Sequence, residues 1–203
     1  DAGLIMNEIR SIKSRYEIDQ LLMAGKYIDE VHRAIPSLFE IGDTEISLAK
    51  KIGNLIKEAG HESVDFTIVA SGQNSASPHH EPGKTVIKKG DVLVIDIGGT
   101  TPSGYCSDST RTYVIGECSP DFQSKYEILK EAQEFTIQAV SNDMSAEQLD
   151  AVSRDHLRKN DLAEYFIHRT GHGIGMETHE EPYIVLGNKN QIKDGNAFSI
   201  EPG

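Results

Sequence analysis

The chain has 203 residues, of which 37% are hydrophobic and 26% are charged, and this composition excludes a disordered tail and a membrane-embedded protein. It carries 32 acidic against 20 basic residues, so its formal net charge at pH 7 is -12. A field of this sign repels phosphate backbones and anionic lipids, so neither nucleic acid nor a membrane surface is an expected partner.

The chain has only two cysteines, Cys106 and Cys118. A secreted fold of this size more often carries a larger, even set that forms disulfides, so we expect two free thiols and a cytoplasmic location. The start at Asp1 lacks an initiator methionine and the blocks of a signal peptide. We therefore expect the chain to have been cut from a longer one.

Two amphipathic helices are predicted first, because apolar residues recur at spacings of three and four. One covers residues 17–35 and stops before Pro36. The other follows a cap at Asp43 or Thr44 and ends at Gly60. The residues expected to face inward are Ile18, Leu21, Leu22, Gly25, Ile28, Val31 and Ile35 in the first helix, and Ile46, Ala49, Ile52, Ile56 and Ala59 in the second.

A strand at residues 64–70 and a polar loop at 71–80 follow. Four consecutive aliphatic residues then predict a buried strand that ends in Asp96. The next β-rich segment, residues 105–114, is expected to return as a hairpin. A turn centred on Pro102 would place Asp108 directly opposite Asp96.

The second half of the chain repeats this order of elements. A third helix opens at Ser119-Pro120, and a capping box of Ser145 with Gln148 begins a fourth. A strand is predicted at 164–167, and a last apolar strand at 196–201 ends in Glu201. The third helix is expected to bury Phe122, Tyr126, Leu129, Ala132, Phe135 and Ala139.

Residues 89–96 and 194–201 also match locally, since both contain a glycine followed six positions later by an acid. We interpret the match as an internal duplication of an α/β unit. A pseudo-twofold axis would then bring the two acid-bearing strands together at a central sheet, with helices outside, in one domain.

Asp96 lies in an apolar strand, where an unpaired carboxylate costs several kcal/mol. Two carboxylates facing each other repel unless a cation lies between them, so Asp96 and Asp108 indicate a metal site. The alternative is that Arg111 pairs with one acid and the strand register is shifted. Glu201 adds a third acid and His172 an imidazole, a donor set that suits manganese, cobalt, iron or zinc. Three carboxylates favour two ions.

Several segments together resemble the signatures of the pita-bread metallopeptidases, and most closely their Xaa-Pro branch, prolidase and aminopeptidase P. The segments are Asp96, residues 104–112, residues 168–175 through His179-Glu180, and Ile200-Glu201-Pro202-Gly203. The resemblance implies the duplicated α/β (α+β) pita-bread fold, with a central curved, mostly antiparallel sheet. Residues 1–203 would then form a single catalytic domain, with residues 1–9 as the remnant of an upstream linker.

The resemblance also implies a cofactor, two divalent metal ions, with manganese expected and cobalt, zinc and iron as alternatives. The implied metal ligands are Asp96, Asp108, His172 and Glu201. The implied substrate is a proline-containing peptide, hydrolysed at its Xaa-Pro bond by a hydroxide between the ions, and the parent protein would be a homodimer. The implied substrate-binding residues are His79, His168 and His179, and the implied catalytic residues are Glu201, His179 and His79. Thr110 and Arg111 would support the ligands.

The chain departs from the family pattern in three ways, one of which is that only a few residues precede the first predicted helix, where the Xaa-Pro branch usually has a separate N-terminal domain. Thr178 stands where isoleucine or valine is usual, and Gly203 ends the chain before a second glutamate ligand of the family. We therefore expect the C-terminal end to be missing, and this chain to hold metal weakly and to have little activity. The alternatives are methionine aminopeptidase or a creatinase-type hydrolase on the same fold, and a non-catalytic binding module.

Overall fold

The computed structural model describes residues 2–203, which divide into two compact units. The middle unit is Asp19–Ser119, and the terminal unit combines residues 2–18 with Pro120–Gly203. None of the helices among the described residues has the length and apolar character needed to cross a bilayer.

The middle unit packs two helices on a three-stranded antiparallel sheet. Its elements are α2 (Arg15–Ala34, which begins in the terminal unit), α3 (Glu45–Glu58), β1 (Ser63–Ser71), β2 (Val92–Thr100) and β3 (Cys106–Val114), with 3₁₀ turns at Ile35–Ser37 and Gly72–Ala76. The strand order is β1-β2-β3. The core side chains from β2 are Leu93, Ile95 and Ile97, each 0% exposed, so the helices cover one face of the sheet.

The helices occur where they were predicted, but the buried stripes differ. Leu22 is 55% exposed and Ile46 is 41% exposed, so both inward predictions were wrong. Helix α2 buries His32, and α3 buries Glu45 and Leu48. More than one set of helix positions satisfies a spacing of three and four, and the orientation of the helix against the sheet determines which set is buried.

The terminal unit consists of α1 (Ala2–Ser11), α4 (Pro120–Ala139), α5 (Ala146–Lys159), β4 (Gly171–Gly173) and β5 (Glu180–Ile184). Helix α1 occupies a segment where the sequence pattern predicted no helix. The capping box at the start of α5 is present, since Ser145 accepts from the Gln148 amide while the Gln148 side chain accepts from Ser145. Phe135 is 46% exposed, so its inward prediction was wrong.

The strand predicted at residues 164–167 is absent. Asp161 has φ 57, and the chain then turns, with the Tyr165 amide donating to the Leu162 carbonyl. Tyr165 is 69% and Ile167 75% exposed, and only Phe166 is buried. The apolar run was misleading because its residues do not share a covered face.

Residues 196–201 run antiparallel to β4 without forming a regular strand. An isolated bridge joins Gly173 to Phe198. The Ser199 amide donates to the His172 carbonyl over 2.8 Å, and the Glu201 amide donates to the Thr170 carbonyl over 2.8 Å. These bonds fix Glu201 beside the segment that carries His172.

The two units share local detail that supports an internal duplication. Helices α2 and α4 both have 20 residues, and α3 and α5 both have 14. The matched glycines form the same turn, with φ 91 at Gly90 and φ 89 at Gly195. The Lys88 amide donates to the Asp91 side chain over 2.9 Å, and the Lys193 amide donates to the Asn196 side chain over 2.7 Å.

Candidate functional site

The two acids of the middle unit lie on one face of the β2–β3 hairpin, but not directly opposite each other. Asp96 pairs with Thr110, and Asp108 pairs with Gly98, so the predicted register was wrong. The Thr101 amide donates to the Tyr105 carbonyl over 2.9 Å, which makes a longer turn than one centred on Pro102. Asp96 and Asp108 therefore lie diagonally, a relation that places backbones about 7–8 Å apart with side chains on the same side.

The surroundings of Asp96 also differ from the prediction of a fully buried strand. Leu93, Ile95 and Ile97 point into the core, whereas Asp96 lies on the other, half-buried face of β2. The Thr110 hydroxyl donates to Asp96 Oδ1 over 2.8 Å, and this supports the predicted role of Thr110. One carboxylate oxygen is thus oriented by its cross-strand neighbour.

Arg111 does not neutralise Asp96. It lies opposite Ile95, so its side chain leaves the other face of the sheet. Its guanidinium forms an exposed ion pair with Asp29 over 3.4 Å. The alternative in which Arg111 pairs with Asp96 is therefore excluded by the register.

In the terminal unit, His172 and Glu201 form a close pair. His172 is 2% exposed, and its Nε2 lies 3.0 Å from Glu201 Oε1. Nδ1 lies 3.0 Å from the Gly173 carbonyl oxygen, so this nitrogen carries the hydrogen. Nε2 is therefore the ring nitrogen that faces Glu201, and histidines that bind a metal ion through one ring nitrogen typically donate the other N–H to a carbonyl or carboxylate in this way.

Two opposing effects act on the pKa of Glu201. Burial raises it, but the hydrogen bond and charge of His172, the Ser199 hydroxyl and the charge of His168 lower it further than burial raises it. The Ser199 Oγ donates to Glu201 Oε1 over 2.9 Å. The pKa therefore lies below its ordinary value, and the carboxylate is ionised near neutral pH.

Two other predicted histidines lie in the same unit. The ring of His179 stands edge-on to His172, with 4.1 Å between centroids, and His179 is exposed. His168 is half-buried and packs edge-on against Phe166 at 5.0 Å. The structure thus gathers His168, His172, His179 and Glu201 in one unit.

His79, the remaining predicted residue, belongs to the middle unit. It is exposed in the loop that follows the 3₁₀ turn at Gly72–Ala76. Pro78 precedes it and His80 follows it. Its position therefore depends on how this loop is held.

Residues that the sequence pattern did not indicate support the segment that carries His168. Arg154 donates to the Phe166 carbonyl over 3.0 Å and to the His168 carbonyl over 2.5 Å. Its Nε donates to Asp150 over 2.7 Å, and Asp150 also accepts from the Thr170 hydroxyl over 2.7 Å. The spacing of Asp150 and Arg154 on a predicted helix was the available signal, but it is shared by ordinary surface pairs.

A second such support lies beside His179. Glu180 follows it directly and binds both Arg10, over 2.8 Å, and Lys13. Lys13 is 5% exposed, so the pair with Glu180 is shielded from solvent. The start of β5 is thereby fixed to the segment that joins α1 and α2.

The donor chemistry of both units suits divalent metal ions. Asp96 and Asp108 present carboxylates on one half-buried face, and His172 presents Nε2 beside an ionised Glu201. Oxygen donors with one imidazole suit hard or borderline divalent ions, and cysteine thiolates take no part in this donor set.

Comparison with known proteins places these residues in a family context. The sequence model of metallopeptidase family M24 matches residues 19–203. The probable dipeptidase PepE of Mycobacterium tuberculosis is 48% identical over 199 residues, which cover 98% of this chain and 53% of that protein. The Xaa-Pro dipeptidase of Lactobacillus helveticus is 39% identical over 206 residues, covering 100% of this chain and 55% of that protein.

Solved structures agree closely. The dipeptidase PepE from Mycobacterium ulcerans has a TM-score of 0.96 at 47% identity, covering 99% of this chain and 54% of that chain. A prolidase from Thermococcus sibiricus has a TM-score of 0.95 at 46% identity, covering 98% and 55%. The chain thus spans about half the length of these relatives, and the expected pita-bread fold class is confirmed.

Proposed function

The chain belongs to metallopeptidase family M24, and from this premise we propose that it is part of a dinuclear-metal hydrolase that cleaves Xaa-Pro peptide bonds. The observation that carries the proposal is the contact of the buried His172 Nε2 with Oε1 of the partly exposed Glu201, 3.0 Å apart, with His179 against the His172 ring. The names of these two relatives, a probable dipeptidase and an Xaa-Pro dipeptidase, support the substrate class.

We propose Asp96, Asp108, His172 and Glu201 as metal ligands, with manganese as the metal. Thr110 supports the carboxylate of Asp96, and the Gly173 carbonyl supports the ring of His172. These residues would hold two divalent ions, which would lower the pKa of a bound water toward neutrality and so supply a nucleophile for a peptide carbonyl.

Residues of this chain are proposed to transfer the protons and to stabilise the negative charge that develops on the carbonyl oxygen. Glu201 is ionised near neutral pH because its pKa is lowered, so its carboxylate can take a proton and return it to the leaving amine. His179 is exposed beside His172 and is proposed to donate to the carbonyl oxygen as negative charge develops there. His79 is proposed for the same role, and His168 for substrate positioning.

Three finer features belong to the same proposal. We propose that the substrate is a proline-containing peptide, that the protein acts as a homodimer, and that it is cytoplasmic. The last point is supported by the low cysteine content, since Cys106 and Cys118 are the two cysteines of the chain. Sedimentation of the purified protein measures the oligomeric state directly.

Metal titration combined with a hydrolysis assay tests the proposal. We expect manganese to bind the chain, and D108N and E201Q to weaken binding by at least about tenfold, since each removes a ligand charge. Asp155→Asn on the exposed side of α5 is the matched control, because it makes the same change of charge away from the proposed ligands.

A hydrolysis assay with two dipeptides tests the proposed substrate class. Although we expect little activity from this chain, the manganese-loaded protein should cleave Ala-Pro faster than Ala-Ala. Equal binding by the ligand variants and the control would contradict the metal site, and cleavage without preference for proline would favour methionine aminopeptidase or another hydrolase of this fold.

A further inference from the structure

Glu45 is a buried carboxylate in the middle unit that lies outside the proposed set of ligands and catalytic groups. It is the first residue of α3 and is 0% exposed. An ionised carboxylate in such a place requires several donors. Its two oxygens accept from four groups, which are the Ser71 amide (2.8 Å), the Asn74 side chain (2.9 Å), the His80 Nε2 (2.9 Å) and the Gly83 amide (3.1 Å).

These donors come from both ends of one loop. Ser71 and Asn74 contact Oε1 and lie where β1 passes into residues 72–83, whereas His80 and Gly83 contact Oε2 and lie near its end. We call residues 72–83 the His79 loop. The Ile46 amide of the same helix also donates to the Gly83 carbonyl, over 2.9 Å.

These hydrogen bonds keep the Glu45 carboxylate ionised. Burial raises its pKa, but the hydrogen bonds from Asn74, His80, Ser71 and Gly83 lower it by more. The carboxylate therefore stays ionised, and hydrogen bonds to an ionised acceptor are about twice as strong as neutral ones. The Glu45 side chain thus binds the His79 loop both near its start and near its end.

We infer that Glu45 is a positioning residue that closes the His79 loop and thereby fixes the place of His79. The inference rests on the proposed function for the role given to His79. His79 is exposed, so packing does not determine where it lies. It stands between Pro78, whose ring fixes φ, and His80, which is bound to Glu45 over 2.9 Å.

The first test is E45Q, with nuclear magnetic resonance of the labelled chain as the readout. Glutamine keeps one acceptor oxygen and replaces the other with an NH₂ group, which cannot accept from an amide. At least one of the Ser71 and Gly83 amides therefore loses its acceptor. We expect its hydrogen exchange to accelerate at least tenfold, and the His79 order parameter to fall from about 0.85 to below about 0.6.

Glu58→Gln is the matched control, since Glu58 ends the same helix and is exposed. It makes the same change of charge and is expected to leave the His79 order parameter unchanged. A fall of equal size in both variants would overturn the inference, because the effect would then follow from charge alone.

H80A provides a second variant that does not disturb the core. The His80 side chain is 20% exposed, and its removal leaves Glu45 with the Ser71, Asn74 and Gly83 donors. We expect His79 to become mobile while the Ser71 amide stays protected. If E45Q fails to fold, H80A decides, and an order parameter for His79 equal to that of the unsubstituted chain would overturn the inference.

Order parameters require no substrate, so the inference and the proposed function can fail separately. H79A tests the function alone, by loss of Xaa-Pro hydrolysis. Unchanged hydrolysis in H79A would remove the catalytic role of His79 and leave the loop result standing. An ordered loop in both E45Q and H80A would remove the positioning role and leave the hydrolysis result standing.

Discussion

Replacement of Arg154 by alanine is expected to destabilise the terminal unit strongly, although Arg154 is not proposed to touch substrate. Its guanidinium donates to the Phe166 and His168 carbonyls and to Asp150, and it stacks 4.2 Å from the centroid of the Phe166 ring. The substitution removes all of these contacts at once.

The magnitude follows from the burial of the partner. Asp150 is 1% exposed, whereas the Arg154 side chain is 23% exposed. Removing one member of a fully buried ion pair costs about 3–5 kcal/mol. Asp150 would retain the Thr170 hydroxyl at 2.7 Å, and Arg154 is partly solvated, so we expect a loss of about 2–3 kcal/mol.

Thermal unfolding followed by circular dichroism measures this loss. For a chain of this length, a change of 1 kcal/mol shifts Tm by about 2–4 °C, so R154A should unfold about 4–12 °C lower. R158A is the matched control, since Arg158 lies on the same helix and forms an exposed pair with Asp155. That variant should lose less than about 1 kcal/mol.

A double variant tests the reasoning itself. D150N removes the charge that R154A leaves without its partner, while the asparagine oxygen can still accept from Thr170. D150N/R154A should therefore be more stable than R154A alone. The argument from a buried, uncompensated charge would be refuted if the double variant were less stable, or if R154A and R158A gave equal shifts.

Burial lowers the pKa of His32 and His61 from 6.5. The unfolded chain therefore binds more protons than the folded chain below that pH, and the free energy of unfolding should fall as pH drops below about 6.5. Equal urea midpoints at about pH 7.5 and 5.5 would contradict this. A Cβ at Gly98 would collide with Phe66 and with the Ser107 backbone, so G98A should cost about 1–3 kcal/mol in urea unfolding. Ile52 is 0% exposed, and I52A should cost about 2–5 kcal/mol, measured against the exposed control I46A.

Helices α2 to α5 could be predicted from the sequence because their signals are local, whereas α1 (Ala2–Ser11) was missed. The spacing of apolar residues and the pair Ser145 and Gln148 act within a few residues, and α5 begins where they indicate. The strand predicted at 164–167 failed because an apolar run does not reveal whether neighbouring strands exist to pair with it. Only Phe166 there is covered, and it packs with Ala132 of α4 and Leu157 of α5 rather than with a neighbouring strand.

The proposed metal ligands could likewise be recognised from the sequence, whereas the hairpin register could not. Acids in apolar strands are rare enough to be conspicuous, so Asp96 and Glu201 could be proposed as ligands from residue type and neighbours. The register could not be predicted, because it depends on a turn that begins at Thr101 and closes at Tyr105. The observed register of β2 and β3 differs from the predicted one by two residues, so Asp96 and Asp108 still lie on one face of the sheet. A difference of one residue would have placed them on opposite faces.

The supports of the candidate site could not be predicted because their partners are set only by the tertiary fold. Glu45 resembles any acidic residue in the first turn of a helix, where a negative charge interacts favourably with the helix dipole. No neighbouring residue in the sequence indicates that its carboxylate accepts hydrogen bonds from the Ser71 and Gly83 amides. Arg154 likewise resembles a surface residue paired with Asp150. Each binds backbone groups, which every residue possesses, so residue type carries no signal of the contact. Chemistry-bearing residues can therefore be proposed from the sequence, whereas the residues that hold them in place are identified only when both ends of each hydrogen bond are known.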